Sequence, residues 1–226
     1  MRKFASLIKT LDSTNKTNLK VEALSNYFLK SSNEDMLWAI ALMSHRRPKR
    51  PMTTTLLRQW ASEESDLPQW LFEESYHIVG DLAETISLLI TKDDSSLKIS
   101  LTECIKEIIS LKGKKDEDKK KYILKGWKGF NNYERFVFNK ILTGGFRIGI
   151  SQRLMTRALS KAVNIEEHII AHRLMGEWDP QSTTLEKLII NPDPKDQLSK
   201  PYPFYLAYPI NLDLFSKSDV SEWHIE

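Results

Sequence analysis

Asn132-Tyr133-Glu134-Arg135-Phe136-Val137-Phe138-Asn139-Lys140-Ile141-Leu142-Thr143-Gly144-Gly145-Phe146-Arg147-Ile148-Gly149-Ile150-Ser151-Gln152-Arg153-Leu154-Met155 reads as a helix, a glycine-rich turn and a second helix. Asn132 can cap the first helix, which carries Phe136, Val137 and Ile141 and is stopped by Gly144-Gly145. Ser151 can cap the second, with Leu154, Met155, Ala158, Leu159 and Ala162 inward. Between them, three glycines in six positions permit left-handed dihedrals and close backbone approach. The turn delivers unpaired amides to the start of the second helix, an anion site by geometry, and Arg147, Arg153 and Arg157 add cations. A plain helix stop followed by a cap would use the same residues. The spacing is not that of a Walker loop, and no strand precedes it as a dinucleotide fingerprint requires.

The helical period continues outward. Leu19, Ala23, Leu24, Tyr27 and Phe28 form one apolar stripe, and Asn33-Glu34-Asp35 opens a helix carrying Met36, Leu37, Ile40, Ala41 and Met43. Thr53 to Thr55 precede Leu56, Leu57 and Trp60. Pro68 fits the first turn of a helix with Trp70, Leu71, Tyr76 and Val79, and Gly80-Asp81 restarts the chain for Leu82 to Ile90. Ser100 and Glu103 form a capping box for a helix reaching about Leu111. Further helices are expected from Glu166 to about Met175 and near Leu185 to Ile190. Lys112 to Lys121 reads as a solvated turn or frayed helix start. Strand signals are nearly absent before residue 200. Pro192, Pro194, Pro201, Pro203 and Pro209 then end the helical pattern. The expected fold class is all-α: one multi-helix domain over 1–200 and an extended, proline-rich connector over 201–226.

Of 226 residues, 33 are Lys or Arg and 30 are Asp or Glu, a net charge of +3. That sum conceals +7 over 1–61, −8 over 62–94, 0 over 95–118, +10 over 119–161 and −6 over 162–226. Two basic blocks around an acidic one are the footprint expected for a phosphate backbone. A hydrophobic content of 41% excludes a disordered chain. No apolar run approaches the about 18 residues that span a bilayer, and Met1-Arg2-Lys3-Phe4 does not open a signal peptide. A single cysteine, Cys104, fits a reducing cytoplasm and reads as buried and inert among Leu101, Ile105 and Ile108.

Two further segments could meet phosphates. In His45-Arg46-Arg47-Pro48-Lys49-Arg50-Pro51, two prolines keep four cations out of helix, and a stiff loop of guanidinium forks suits phosphate oxygens. A helix C-terminus with basic residues against its dipole explains Arg46 and Arg47 as well, but Lys49 and Arg50 less easily. In Lys119 to Lys140, the cations Lys121, Lys125, Lys128, Arg135 and Lys140 alternate with Tyr122, Trp127, Phe130 and Tyr133. Trp127, Phe136 and Phe138 read as core, and the lysines as facing solvent or phosphate. Enzyme signals are weak. His168 and His172 share a helix face without a third ligand, so packing explains them better than a metal does. By themselves the residues describe a helical nucleic-acid-binding domain without visible catalysis.

Phe136 to Leu142 running through Thr143 to Ser151 resembles the signature block of the N-terminal DNA-binding domain of ATP-dependent DNA ligases, in the bacterial branch close to the archaeal and eukaryotic replicative type. Three other blocks agree in order: Arg46 to Arg50, Val79 to Thr85 and Pro201 to Ala207. Together they cover roughly residues 36–210. The resemblance implies an all-α domain gripping nicked duplex DNA through minor-groove and backbone contacts, monomeric, in the cytoplasm at the nucleoid. It implies roles in repair, replication and recombination. It also implies partner nucleotidyltransferase and OB-fold domains, with ATP and Mg2+ serving the full-length enzyme. There a lysine in a Lys-x-Asp-Gly motif takes up AMP. This sequence has no such motif, so the expectation is a fragment that is not catalytic alone, ending before that domain. The residues carried over as DNA contacts are Arg46, Arg47, Lys49, Arg50, Gly144, Gly145, Arg147, Gly149 and Ser151. The charge pattern adds Lys125, Lys128 and Arg153. The competing expectation is a helical interaction scaffold using the acidic 62–94 face.

Overall fold

The computed structural model describes residues 1–91, 96–144 and 149–192. In chain order the helices are α1 (Arg2–Asp12), α2 (Thr17–Lys30), α3 (Asn33–Met43), α4 (Thr54–Glu64), α5 (Gln69–Val79), α6 (Leu82–Leu89), α7 (Leu101–Ser110), α8 (Asp116–Gly129), α9 (Asn132–Thr143), α10 (Gln152–Val163) and α11 (Glu167–Leu174). A π-helical turn, Glu186–Ile190, follows them, and the described residues contain no strand. The all-α expectation holds. The connector, with Pro201 to Ala207, lies outside the described residues.

Most helix starts are set by local side chains. Thr53, Asp81 and Ser151 accept from the amides of Leu56, Glu84 and Leu154, each satisfying a donor that the helix leaves unpaired. Ser100 with Glu103 and Asn131 with Glu134 complete reciprocal capping boxes. Two expected caps shift by one residue. Ser32, not Asn33, caps α3, and Asn131, not Asn132, caps α9. The capping side chain reaches the amide three residues on, so Asp35 and Glu134 determine which residue stands at the cap.

Two helices lie where no clear one was expected. α1 buries Phe4, Leu7, Ile8 and Leu11, and α8 begins at Asp116 inside the lysine-rich stretch, with Asp116, Glu117 and Asp118 against its positive end.

α3 is the central element. Met36 through Met43 are all buried, so this helix is apolar on every side and must be surrounded. It packs on α7 and α10, while α2 lies along α10 and α6 along α9. Buried polar bonds pin the packing. Asp35 accepts from the Thr102 amide and hydroxyl at 2.8 and 2.7 Å. Trp127 Nε1 donates to Asn139 Oδ1 at 2.7 Å, and Asn139 Nδ2 reaches Ala83 O and Ser87 Oγ, joining α8, α9 and α6.

Arg135, one of the cations in the aromatic stretch, is built into the core. It is 1% exposed and donates to the carbonyls of Trp127 (2.6 Å), Phe130 (3.1 Å) and Ile90. Trp127 and Phe138 are core as expected, but Phe136 is only half-buried, with Lys140 over its ring. Cys104 is buried, and that burial pushes its thiol pKa up to about 12. No helix among the described residues is long and apolar enough to cross a membrane. His168 Nδ1 lies 3.3 Å from Glu166 Oε2, both exposed.

Candidate nucleic-acid interface

The basic loop begins where α3 ends. Ser44 is the C-cap, and His45 takes the left-handed conformation at φ 60°. The His45 amide donates to Leu42 O at 3.2 Å and the Arg46 amide to Ala41 O at 2.7 Å, the paired bonds of a Schellman closure. The most buried helix of the domain therefore delivers the cations. Pro48 is buried and anchors the loop, while Arg47, Lys49 and Arg50 are exposed. Arg46 is half-buried. It donates to Trp178 O (3.2 Å) and Gly176 O (2.7 Å), and its guanidinium stacks 4.7 Å from the Trp178 ring centre.

The glycine turn meets this loop. Gly144 closes α9 at φ 88°, its amide donating to Lys140 O at 2.8 Å. A Cβ added there would meet the Arg47 guanidinium, the movable end of an exposed side chain, so it is the left-handed φ that calls for glycine. Gly145 and Arg147 lie outside the described residues. On the far side of the turn, Gly149 adopts φ 59°, and its carbonyl accepts from Lys20 Nζ at 3.4 Å. Ser151 caps α10, leaving the amides of Gln152 and Arg153 at the open end of the helix. Arg153 and Arg157 are exposed. Ser25 Oγ donates to Ala158 O at 3.1 Å and so holds α10 on α2.

The fold thus brings Arg47 to Gly144 and assembles Gly149, Ser151 and Arg153 at one helix end. It does not join Lys125 and Lys128 to them by any hydrogen bond or ion pair among the described residues. Lys125 is exposed in a groove between α7 and α8, beside Lys114 and Lys121. Lys128 pairs with Glu64 at 3.1 Å. Nearby, Lys120 pairs with Glu63, Arg58 with Glu73 and Lys140 with Asp81. Much of the acidic block is therefore answered from inside the molecule. Burial pushes the Asp81 pKa up, but bonds from Lys140 and from the Glu84 and Ala83 amides outweigh it and hold the carboxyl below its usual range.

The sequence reading missed Lys20. The signal was its position four residues before Leu24 and eight before Phe28, which places a cation on the apolar stripe of α2.

The family described as DNA ligase N terminus matches residues 1–160. This chain belongs to that family. The ligase match spans the basic loop, the glycine turn and the first turns of α10. It also takes in α1 and α2, which precede the blocks of the resemblance. No curated protein matches the ligase-family chain.

Proposed function

We propose that this domain grips nicked duplex DNA through its phosphate backbone, without reading sequence, as the N-terminal domain of an ATP-dependent DNA ligase acting in repair, replication and recombination. The observation that carries this reading is the contact of Arg47 with Gly144. It brings the basic loop to the start of the glycine turn, far away in the chain, and that turn leads to the amino end of α10. The contacts are Arg47, Lys49 and Arg50, the turn through Gly145, Arg147 and Gly149, and Ser151 and Arg153. Lys125 and Lys128 guide the duplex from α8. Arg46 acts by holding the loop against Trp178.

The domain is 1–200, and 201–226 leads to a nucleotidyltransferase domain whose lysine carries AMP. ATP and Mg2+ belong to that domain. Among the described residues no cluster of three or more His, Cys, Asp or Glu could hold a metal ion.

Binding of this chain to nicked and intact duplexes, followed by fluorescence anisotropy across a salt series, tests the reading. If about 5–8 phosphates are neutralised, log K falls against log salt with a slope of about −4 to −7. A slope near zero overturns it. Arg47→Ala weakens every sequence alike by about tenfold, the worth of one charge-assisted contact. A loss confined to particular sequences would mean base readout instead.

A second reading, a docking scaffold on the 62–94 segment, has one observation in its favour. Trp70 and Ile78 on α5 are 67% and 83% exposed. Absence of DNA binding at low salt would favour it.

A further inference from the structure

Lys20 lies outside the basic loop and the glycine turn, yet its ammonium reaches the last glycine of that turn. It is 8% exposed, and its ammonium approaches the amino end of α10, where Gly149 O is its one hydrogen-bond acceptor among the described residues. At 3.4 Å that bond is long, and it occupies one of three donors. Among the described residues no carboxylate pairs with Lys20, although Lys120, Lys128 and Lys140 each have one. Its neighbours make this costly. The amino end of α10 is the positive pole of the helix, and Arg153 stands in its first turn. Among the described residues, a buried ammonium approaches a helix amino terminus with no carboxylate bonded to it, an arrangement that an anion stabilises.

We propose that Lys20 is the buried phosphate-binding cation of the α10 anion site, its ammonium shared between the Gly149 carbonyl and one backbone phosphate of the duplex. This rests on the DNA-binding reading above. The Gly149 bond aims the ammonium, and burial frees it from competing water. α2 thereby becomes part of the interface, held there by its long packing against α10. The alternative is that Lys20 only tethers Gly149.

Salt-dependent anisotropy of the full chain on one nicked duplex separates the two. Lys20→Met removes charge and tether together without adding volume to the core. A phosphate contact predicts an affinity loss of about tenfold and a salt slope shallower by about 0.9, with the melting temperature kept or raised. Lys20→Arg keeps the charge and predicts a slope equal to that of the unsubstituted chain. A Lys20→Met variant that binds as well as the parent, or more weakly at an unchanged slope, overturns the proposal. So does a Lys20→Arg variant whose slope falls like that of Lys20→Met. The two failures are distinguishable. A parent chain with no salt-dependent binding defeats the DNA reading itself, whereas loss of binding in Arg47→Ala with none in Lys20→Met defeats only the role of Lys20.

Discussion

His45 sits at φ 60° in a position that glycine fills most easily, and it does so at the junction of the core helix α3 and the basic loop. A side chain in that region is strained, so His45→Gly should raise stability by about 0.5–1 kcal/mol in urea denaturation. Gly144 is the opposite case. Its φ of 88° disfavours a side chain, and a Cβ there would push the Arg47 guanidinium aside. Gly144→Ala should therefore destabilise the domain by about 1–2 kcal/mol and, by displacing Arg47, weaken duplex binding. Urea denaturation and anisotropy on the same variant measure the two effects. The Gly144 stop was legible because glycine after an apolar helix face is a local signal. The His45 closure was not, since nothing in the residue type distinguishes it from a loop position.

Among the elements, α8 and α6 depend on single charged residues of α9. Arg135 occupies carbonyls at the end of α8 and the Ile90 carbonyl that follows α6. Replacing it with methionine leaves those acceptors buried without a donor. Arg135→Met should cost about 3 kcal/mol or more in chemical denaturation.

Asp81 caps α6 and pairs with Lys140, which holds its carboxyl pKa below the ordinary value. A depressed carboxyl contributes its full stability above the unfolded-state value, and that contribution is lost as the pH falls on through the lower folded-state value. Asparagine keeps the cap but not the charge. Asp81→Asn should therefore be less stable than the parent at neutral pH and converge with it below about pH 4 in thermal melts. The period of α1 was present in Phe4, Leu7, Ile8 and Leu11, but no capping side chain marks its start. The period of α8 was masked by the lysine run that its own acidic first turn offsets.

Over the whole molecule, the basic and acidic blocks are not separate faces. Among the described residues, four of the 62–94 acids bind cations of α4, α8 and α9, whereas Arg47, Lys49, Arg50 and Arg153 are exposed, with Arg47 at Gly144. The last helical turn, at Glu186–Ile190, buries Leu188 and Ile189 in the common core. A chain ending before Leu185 should lose several degrees of melting temperature, because it exposes those side chains.

The sequence by itself determined the all-helical class, most helix caps, and the two segments that carry the glycines and cations. Capping, periodicity and glycine stops act within a few residues, so they are written in the order of the chain. Which cations face outward was decided only by the tertiary structure, because that depends on partners distant in sequence. Arg46 is held by Trp178 and Arg135 by the carbonyls of three other residues. Packing of α2 on α10 also brings Lys20 to Gly149 across 129 positions of chain, a proximity that no local pattern encodes.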